Sequence, residues 1–243
     1  MSSTVMYYCC SDEKAYAHNF SPTNDASLIA LVEELKAETG LVNSNILFSD
    51  KISVQKHAAN AAGLLHSFNN NLSSLGSAQD FQQIYDKGLG NSTTVALVVA
   101  NVIDKILMKY GSAFDIGYDL TNISNMMTAA SNMASKTNHS MLAGAQHSAG
   151  PEFVRDTDLV LANPQDYQTA KTLSDMVDRL FNDKLSHLSP HNETSTVVKL
   201  AESIRRLKDS VDSRVPPEIL MNIVHIQVHP LLLKAYHLRL IST

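Results

Sequence analysis

The chain has 243 residues, of which 44% are hydrophobic and 18% charged. That composition suits a globular protein with a buried core, and nine Gly and seven Pro are few for an all-β chain with many tight turns. A net charge of −5 leaves no basic footprint for nucleic acid. The longest apolar runs, such as Val95 to Ala100, fall well short of the roughly 18 residues a membrane span needs.

Residues 1–24 show no periodicity and read as an irregular tail. MSSTVMYYCCSDEK lacks the basic start and apolar run of a signal peptide. Taken as it stands, the chain is not exported by that route. It is extracytoplasmic only if the N-terminus is incomplete. Cys9 and Cys10 are adjacent, a spacing at which a mutual disulfide is disfavoured. They read as two free thiols, with a soft-metal or redox site involving His18 as the alternative.

SPTND then signals a loop-to-helix transition. Leu28, Leu31, Val32 and Leu35 form an amphipathic stripe that Val42 and Ile46 extend, so a helix is predicted from 25 to about Phe48. Ser49 is the expected N-cap of the next helix. That helix carries Val54, Ala58, Ala61, Leu65, Phe68, Leu72 and Leu75 in alternating steps of four and three. Such a heptad seam predicts burial against partner helices. The short FSDK link makes the two helices an antiparallel hairpin.

Gly76 to Asn91 reads as irregular or weakly helical. Thr93 to Phe114 is helical, with Val95, Val99, Val102, Ile103, Ile106 and Tyr110 on one face and Asn101, Asp104, Lys105 and Met108 on the other. From 115 to about 160 the chain is rich in Met, Asn and Ser and reads as an insertion or linker, with one short helix near Thr121–Ser135. Asn163 is the expected cap and Pro164 the first residue of the next helix, whose core face holds Leu173, Val177, Leu180, Phe181, Leu185 and Leu188. Thr194 or Ser195 starts another helix, with Val197, Leu200, Ile204, Leu207 and Val211 inward. Glu218 to about Leu240 is the last, kinked at Pro230.

The expected fold is therefore all-α: one antiparallel bundle of four to six main helices over 25–243. An internal echo points either to two duplicated helical hairpins or to coincidence. Phe68-Asn69, Leu72-Ser73 and Leu75 recur as Phe181-Asn182, Leu185-Ser186 and Leu188, and VIDKILMKY faintly matches QVHPLLLKAY.

His57 and His66 lie nine residues apart on one helix and point to opposite faces, so they cannot share an ion. His66 is expected in solvent, and His57 needs another helix to find a partner. His225 and His229 are four apart and share a face, the spacing at which two imidazoles hold one metal. Asp104 occupies the place of His229 in the faint repeat. A transition-metal site of His225, His229, Asp104 and His57 is thus one reading, and surface or hydrogen-bonded histidines the other. Met126, Met127, Met133, Met141, His139 and His147 raise copper as a lesser option. Asp115 and Asp119 share a face if helical. EELKAE and ESIRRLKDSVD read as exposed charged faces.

No nucleophile elbow, P-loop, GxGxxG, CxxC pair or DxDxDG loop occurs, so no catalytic or cofactor-binding residue is assigned and no enzyme activity is expected. Five N-x-S/T sequons, at Asn71, Asn91, Asn122, Asn138 and Asn192, hint at an extracytoplasmic location.

SVQKHAANAAGLLH, VALVVANVIDKILMKYGSAF and ILMNIVHIQVHPLLLKAYHL together resemble uncharacterised archaeal extracytoplasmic helical-bundle domains over roughly residues 25–240. Some of those domains accompany iron-permease-type membrane proteins. The resemblance implies a helical bundle outside the membrane with a role in metal handling. The chain departs from it by lacking an export signal. The residues alone favour an interaction or scaffold module that binds a protein partner or a second copy, with iron, copper or zinc binding as the alternative.

Overall fold

The computed structural model describes residues 23–73, 78–117, 119–121, 160–189 and 191–239. Every regular element among them is helical. In order these are α1 (Asn24–Leu47), α2 (Lys51–Leu72), α3 (Ala78–Leu89), α4 (Ser92–Ala113), α5 (Pro164–Asp183), two 3₁₀ turns (Leu185–Leu188 and His191–Glu193), α6 (Thr194–Asp212), α7 (Pro217–Asn222), a π-helical segment (Ile223–Val228) and α8 (His229–Tyr236). The expected all-α bundle is what the chain forms. Cys9, Cys10, His18 and most of the tail lie outside the described residues. So do the helix expected near 121–135, the methionine-rich stretch and the sequons at Asn122 and Asn138.

The bundle is organised around α4. Thirteen of its 22 residues are buried, including Val95, Val99, Val102, Ile103, Ile106 and Tyr110. The face expected inward is inward, and Ala96, Leu97, Val98 and Ala100 are buried as well, because neighbours cover this helix on several sides. Its start is fixed by Asn91, whose side chain accepts from the Thr94 amide at 3.0 Å. Asn163 was expected to cap α5 in the same way. Instead its side-chain amide donates to the Ser112 carbonyl at 2.8 Å and ties the end of α4 to the start of α5. Buried tyrosines make similar ties: Tyr110 donates to the Val215 carbonyl at 2.6 Å, Tyr167 to Val211 at 2.9 Å and Tyr236 to Leu185 at 3.0 Å. Among the described residues no single helix is long and apolar enough to cross a membrane. α3 and α4 pass that test only as a pair bent by 95°, and the apolar surface of α4 is inside the bundle.

Two sequence expectations fail in the α1–α2 hairpin. Ser49 does not cap α2. It has φ 58° and turns the chain, while Asp50 caps by accepting from the Ser53 amide at 3.1 Å. Of the two readings of Gly76 to Asn91, the helical one holds for Ala78–Leu89, which stacks Phe81 edge-on against Phe68. The largest correction concerns the seam. Only Ser53 and His57 of α2 are fully buried; of the seam, Val54, Ala61, Phe68 and Leu72 are half-buried, and Ala58 and Leu65 are exposed. At about 100° per residue the apolar seam stands about 80° to one side of the buried direction. α1 is rotated likewise: Glu34, Glu38 and Asn45 are buried, whereas Leu31, Val32, Leu35 and Val42 are half-buried and Ile46 is exposed.

The physical reason is the buried carboxylate of Glu38. Leaving it without donors would cost several kcal/mol, and turning toward them still leaves Val54, Phe68 and Leu72 of the seam half-buried. α2 therefore docks by the face that carries hydrogen-bonding groups. The duplication gains no support from this packing. Phe68 is half-buried in the first copy and Phe181 is buried in the second.

The last helix is not simply kinked at Pro230. Pro230 has no amide to give the Ile226 carbonyl, and the preceding turn widens into the π segment, with the His229 amide reaching back to the Val224 carbonyl. The helix ends at Tyr236 rather than Leu240, and His237 stops it at φ 52° in the left-handed region.

Candidate functional site

Two polar clusters lie inside the bundle. The first joins α1, α2 and α5. Glu38, fully buried, accepts from His57 Nδ1 at 2.7 Å, from Asn60 at 3.2 Å and from Thr169 at 2.9 Å. The other ring nitrogen of His57, Nε2, lies 2.9 Å from Gln168 Oε1. That amide oxygen also accepts from Asn45 Nδ2 at 3.2 Å, and Asn45 Nδ2 donates in turn to the Leu41 carbonyl at 2.9 Å. Gln165 donates to the Ser53 hydroxyl at 3.2 Å, and Ser53 donates to Asp50 at 2.6 Å.

Burial disfavours a charge on His57. The hydrogen bonds to Glu38 and Gln168 and the Glu38 charge outweigh that, so its pKa is raised above 6.5. Glu34, one turn before Glu38, is pushed upward chiefly by burial, with Lys105 at 3.8 Å and Lys109 opposing. Both glutamates were expected on an exposed charged face. The missed signal is that they lie four apart on the side shared with Ala30, Ala37 and Asn45.

The second cluster joins α4, the 119–121 turn and the π segment. His225 and His229 face inward and are buried, with ring centroids 5.5 Å apart and nearly perpendicular. His225 Nε2 donates to the Leu120 carbonyl at 2.9 Å, which sets the ring. The Leu120 side chain rests on the bare backbone of α4 at Gly111, where a Cβ would stand 3.1 Å from Leu120 Cδ1. His229 Nε2 lies 3.5 Å from Asp104 Oδ1. Burial pushes the Asp104 carboxyl up to about 7, with the Asp119 charge adding and Lys105 opposing.

The structure places His229 beside both Asp104 and His225. It gives His57 a different set of partners, Glu38 and Gln168. Among the described residues no group of three or more His, Cys, Asp or Glu side chains is placed to hold a metal ion. His66 is exposed, as expected, 3.2 Å from Asn70. Asp115 and Asp119 do not share a helical face, because α4 ends at Ala113 and Asp115 turns the chain at φ 52°.

The surface holds a third feature. Ile46, Leu47, Phe48 and Ile52, at the turn between α1 and α2, are 56%, 83%, 80% and 74% exposed, and Leu65 farther along α2 is 55% exposed. Ala58, Ala59, Ala62 and Gly63 continue an open face along α2. This helix contains no Asp or Glu, and its two lysines, Lys51 and Lys56, flank the apolar turn. Of these residues, periodicity places Ile46, Ala58 and Leu65 on stripes expected to be buried and assigns Leu47, Phe48 and Ile52 no role.

No family model, curated protein or solved structure matches the chain. The side chains themselves therefore carry the functional reading.

Proposed function

We propose that this protein is a non-enzymatic helical-bundle interaction module whose partner surface is the α1–α2 hairpin. The carrying observation is the apolar turn. Four large apolar side chains, each more than half exposed, stand within residues 46–52 at one tip of the molecule. Contiguous exposed apolar surface of this kind marks interaction sites in folded proteins.

The chemistry favours an acidic amphipathic helix of a partner protein. Ala58, Ala59, Ala62 and Gly63 let a second helix backbone approach closely. Lys51 and Lys56 offer positive charge at the tip, while Asp50 is occupied by Ser53. A second copy whose two-fold axis passed through this turn would set the lysines against their own counterparts, which opposes self-association there.

The test places a photo-crosslinking amino acid at Phe48 or Ala59 in the native cells, with Asn182, an exposed residue of α5, as control. Crosslinks that map to an acidic amphipathic helix, and that fall at least tenfold in a Lys51→Glu/Lys56→Glu variant, are expected. Crosslinks only to a second copy, or the same pattern as from Asn182, would overturn the reading.

Transition-metal binding at His225, His229 and Asp104 is a second reading, which rests on the pairing of His229 Nε2 with Asp104 Oδ1 at 3.5 Å beside His225 and has no third ligand placed for it among the described residues. His57 takes no part in it. Elemental analysis of untagged protein decides. One equivalent of iron, copper or zinc that disappears in a His225→Ala/His229→Ala variant supports the site. Absence of metal and of uptake on titration removes it.

A further inference from the structure

α2 is held to the bundle in an unusual way. Two of its 22 residues are fully buried, both are polar, and one is the only buried imidazole described on the hairpin. The protonation of that imidazole can be read from its neighbours. Asn45 Nδ2 donates to the Leu41 backbone carbonyl, an atom that can only accept, and this fixes the orientation of the Asn45 amide. The same Asn45 nitrogen donates to Gln168 Oε1, so the Gln168 amide is oriented with its oxygen toward His57. His57 Nε2 must then carry a proton. On the other side Glu38, already receiving donors from Asn60 and Thr169, requires a proton on Nδ1. A ring that donates from both nitrogens is an imidazolium.

We propose that His57 is a proton-operated latch that pins α2 to α1 and α5, and that loss of its proton releases α2 while the bundle around α4 stays folded. The neutral ring has one N–H for two acceptors. Whichever acceptor it abandons is left buried and short of a donor, and turning the Gln168 amide would oppose its NH₂ to that of Asn45. α2 has no fully buried apolar residue to offset this, only half-buried ones such as Val54, Phe68 and Leu72, whereas α4 has thirteen buried residues, so opening is local. The charged groups around the ring are Glu38 from α1, Asp50 at the start of α2, and Lys109 from α4, which is itself paired with Asp166 of α5 at 3.2 Å. Of these, Glu38 touches the imidazole. The latch needs no partner and does not rest on the docking reading, although the helix it releases also carries the proposed docking face.

The sign follows from linkage. The native pKa of His57 lies above the 6.5 of a free imidazole. The latch is therefore fully closed below about 6.5 and weakens as pH rises toward the native value, levelling beyond it. Amide hydrogen exchange on the full chain, expressed as protection factors, reads this directly. Protection in residues 54–61 is expected to fall by up to tenfold per pH unit over that window, with protection in α4 unchanged. Imidazole ¹⁵N shifts at pH 6 should show both nitrogens of His57 protonated. In a Glu38→Gln variant the new amide can donate to Nδ1, the neutral ring satisfies both neighbours, and the α2 response over that window should vanish. Equal pH dependence in α2 and α4, a neutral His57 at pH 6, or an unchanged response in Glu38→Gln would each overturn the latch.

Discussion

Replacing Glu38 with Ala is expected to destabilise the protein by about 3–5 kcal/mol, the range for breaking a buried charged pair. The loss has three parts that act in the same direction. His57 would be left without its 2.7 Å carboxylate partner inside the bundle, and Asn60 and Thr169 would each lose an acceptor. Water cannot easily repair them, because both Glu38 and His57 are fully buried. Glu38→Gln should lose much less. Its amide oxygen can accept from Asn60 and Thr169, and its NH₂ can donate to a neutral His57. Urea unfolding of the three proteins at pH 7 measures the ranking. Equal stabilities for wild type and Glu38→Ala would mean that the cluster contributes nothing to holding the hairpin.

The second large effect lies in α4. Ile103→Ala should cost about 2–5 kcal/mol, through lost burial and the cavity left behind, because Ile103 is wholly enclosed. Leu65→Ala on α2 should change stability by no more than about 0.5 kcal/mol, as expected for a surface position. Judged by periodicity alone the ranking would be reversed, since Leu65 belongs to the longest heptad seam in the chain. Urea midpoints for the two variants distinguish the cases. A loss of 2 kcal/mol or more in Leu65→Ala would place the seam of α2 in a core contact.

The helices of the body were legible because their apolar stripes coincide with what they bury. Val197, Leu200, Ile204, Leu207 and Val211 of α6 are all inward, as are Leu173, Val177 and Phe181 of α5. The hairpin was misread because periodicity shows which face of a helix is apolar, not which face is buried. On α1 and α2 the two differ, since Glu38 demands donors and only His57, Asn60 and Thr169 supply them. Asn163 was misplaced for a related reason: its side chain found a better acceptor in the neighbouring helix than in its own first turn. Of the candidate site, the shared inward face of His225 and His229 was visible in their i, i+4 spacing. Gln168 was not, because nothing local marks a glutamine whose role is set by a histidine 111 positions away.

The central claim is that α2 faces the bundle with its polar side and keeps its apolar side for a partner. Hydroxyl-radical footprinting of purified protein, compared with protein labelled inside its native cells, tests both halves. Phe48, Ile52 and Leu65 should be oxidised readily when the protein is alone and protected in the cell, while Ile103 is protected in both. If these residues are as protected as Ile103 in the purified protein, or equally oxidised in both settings, the claim is contradicted.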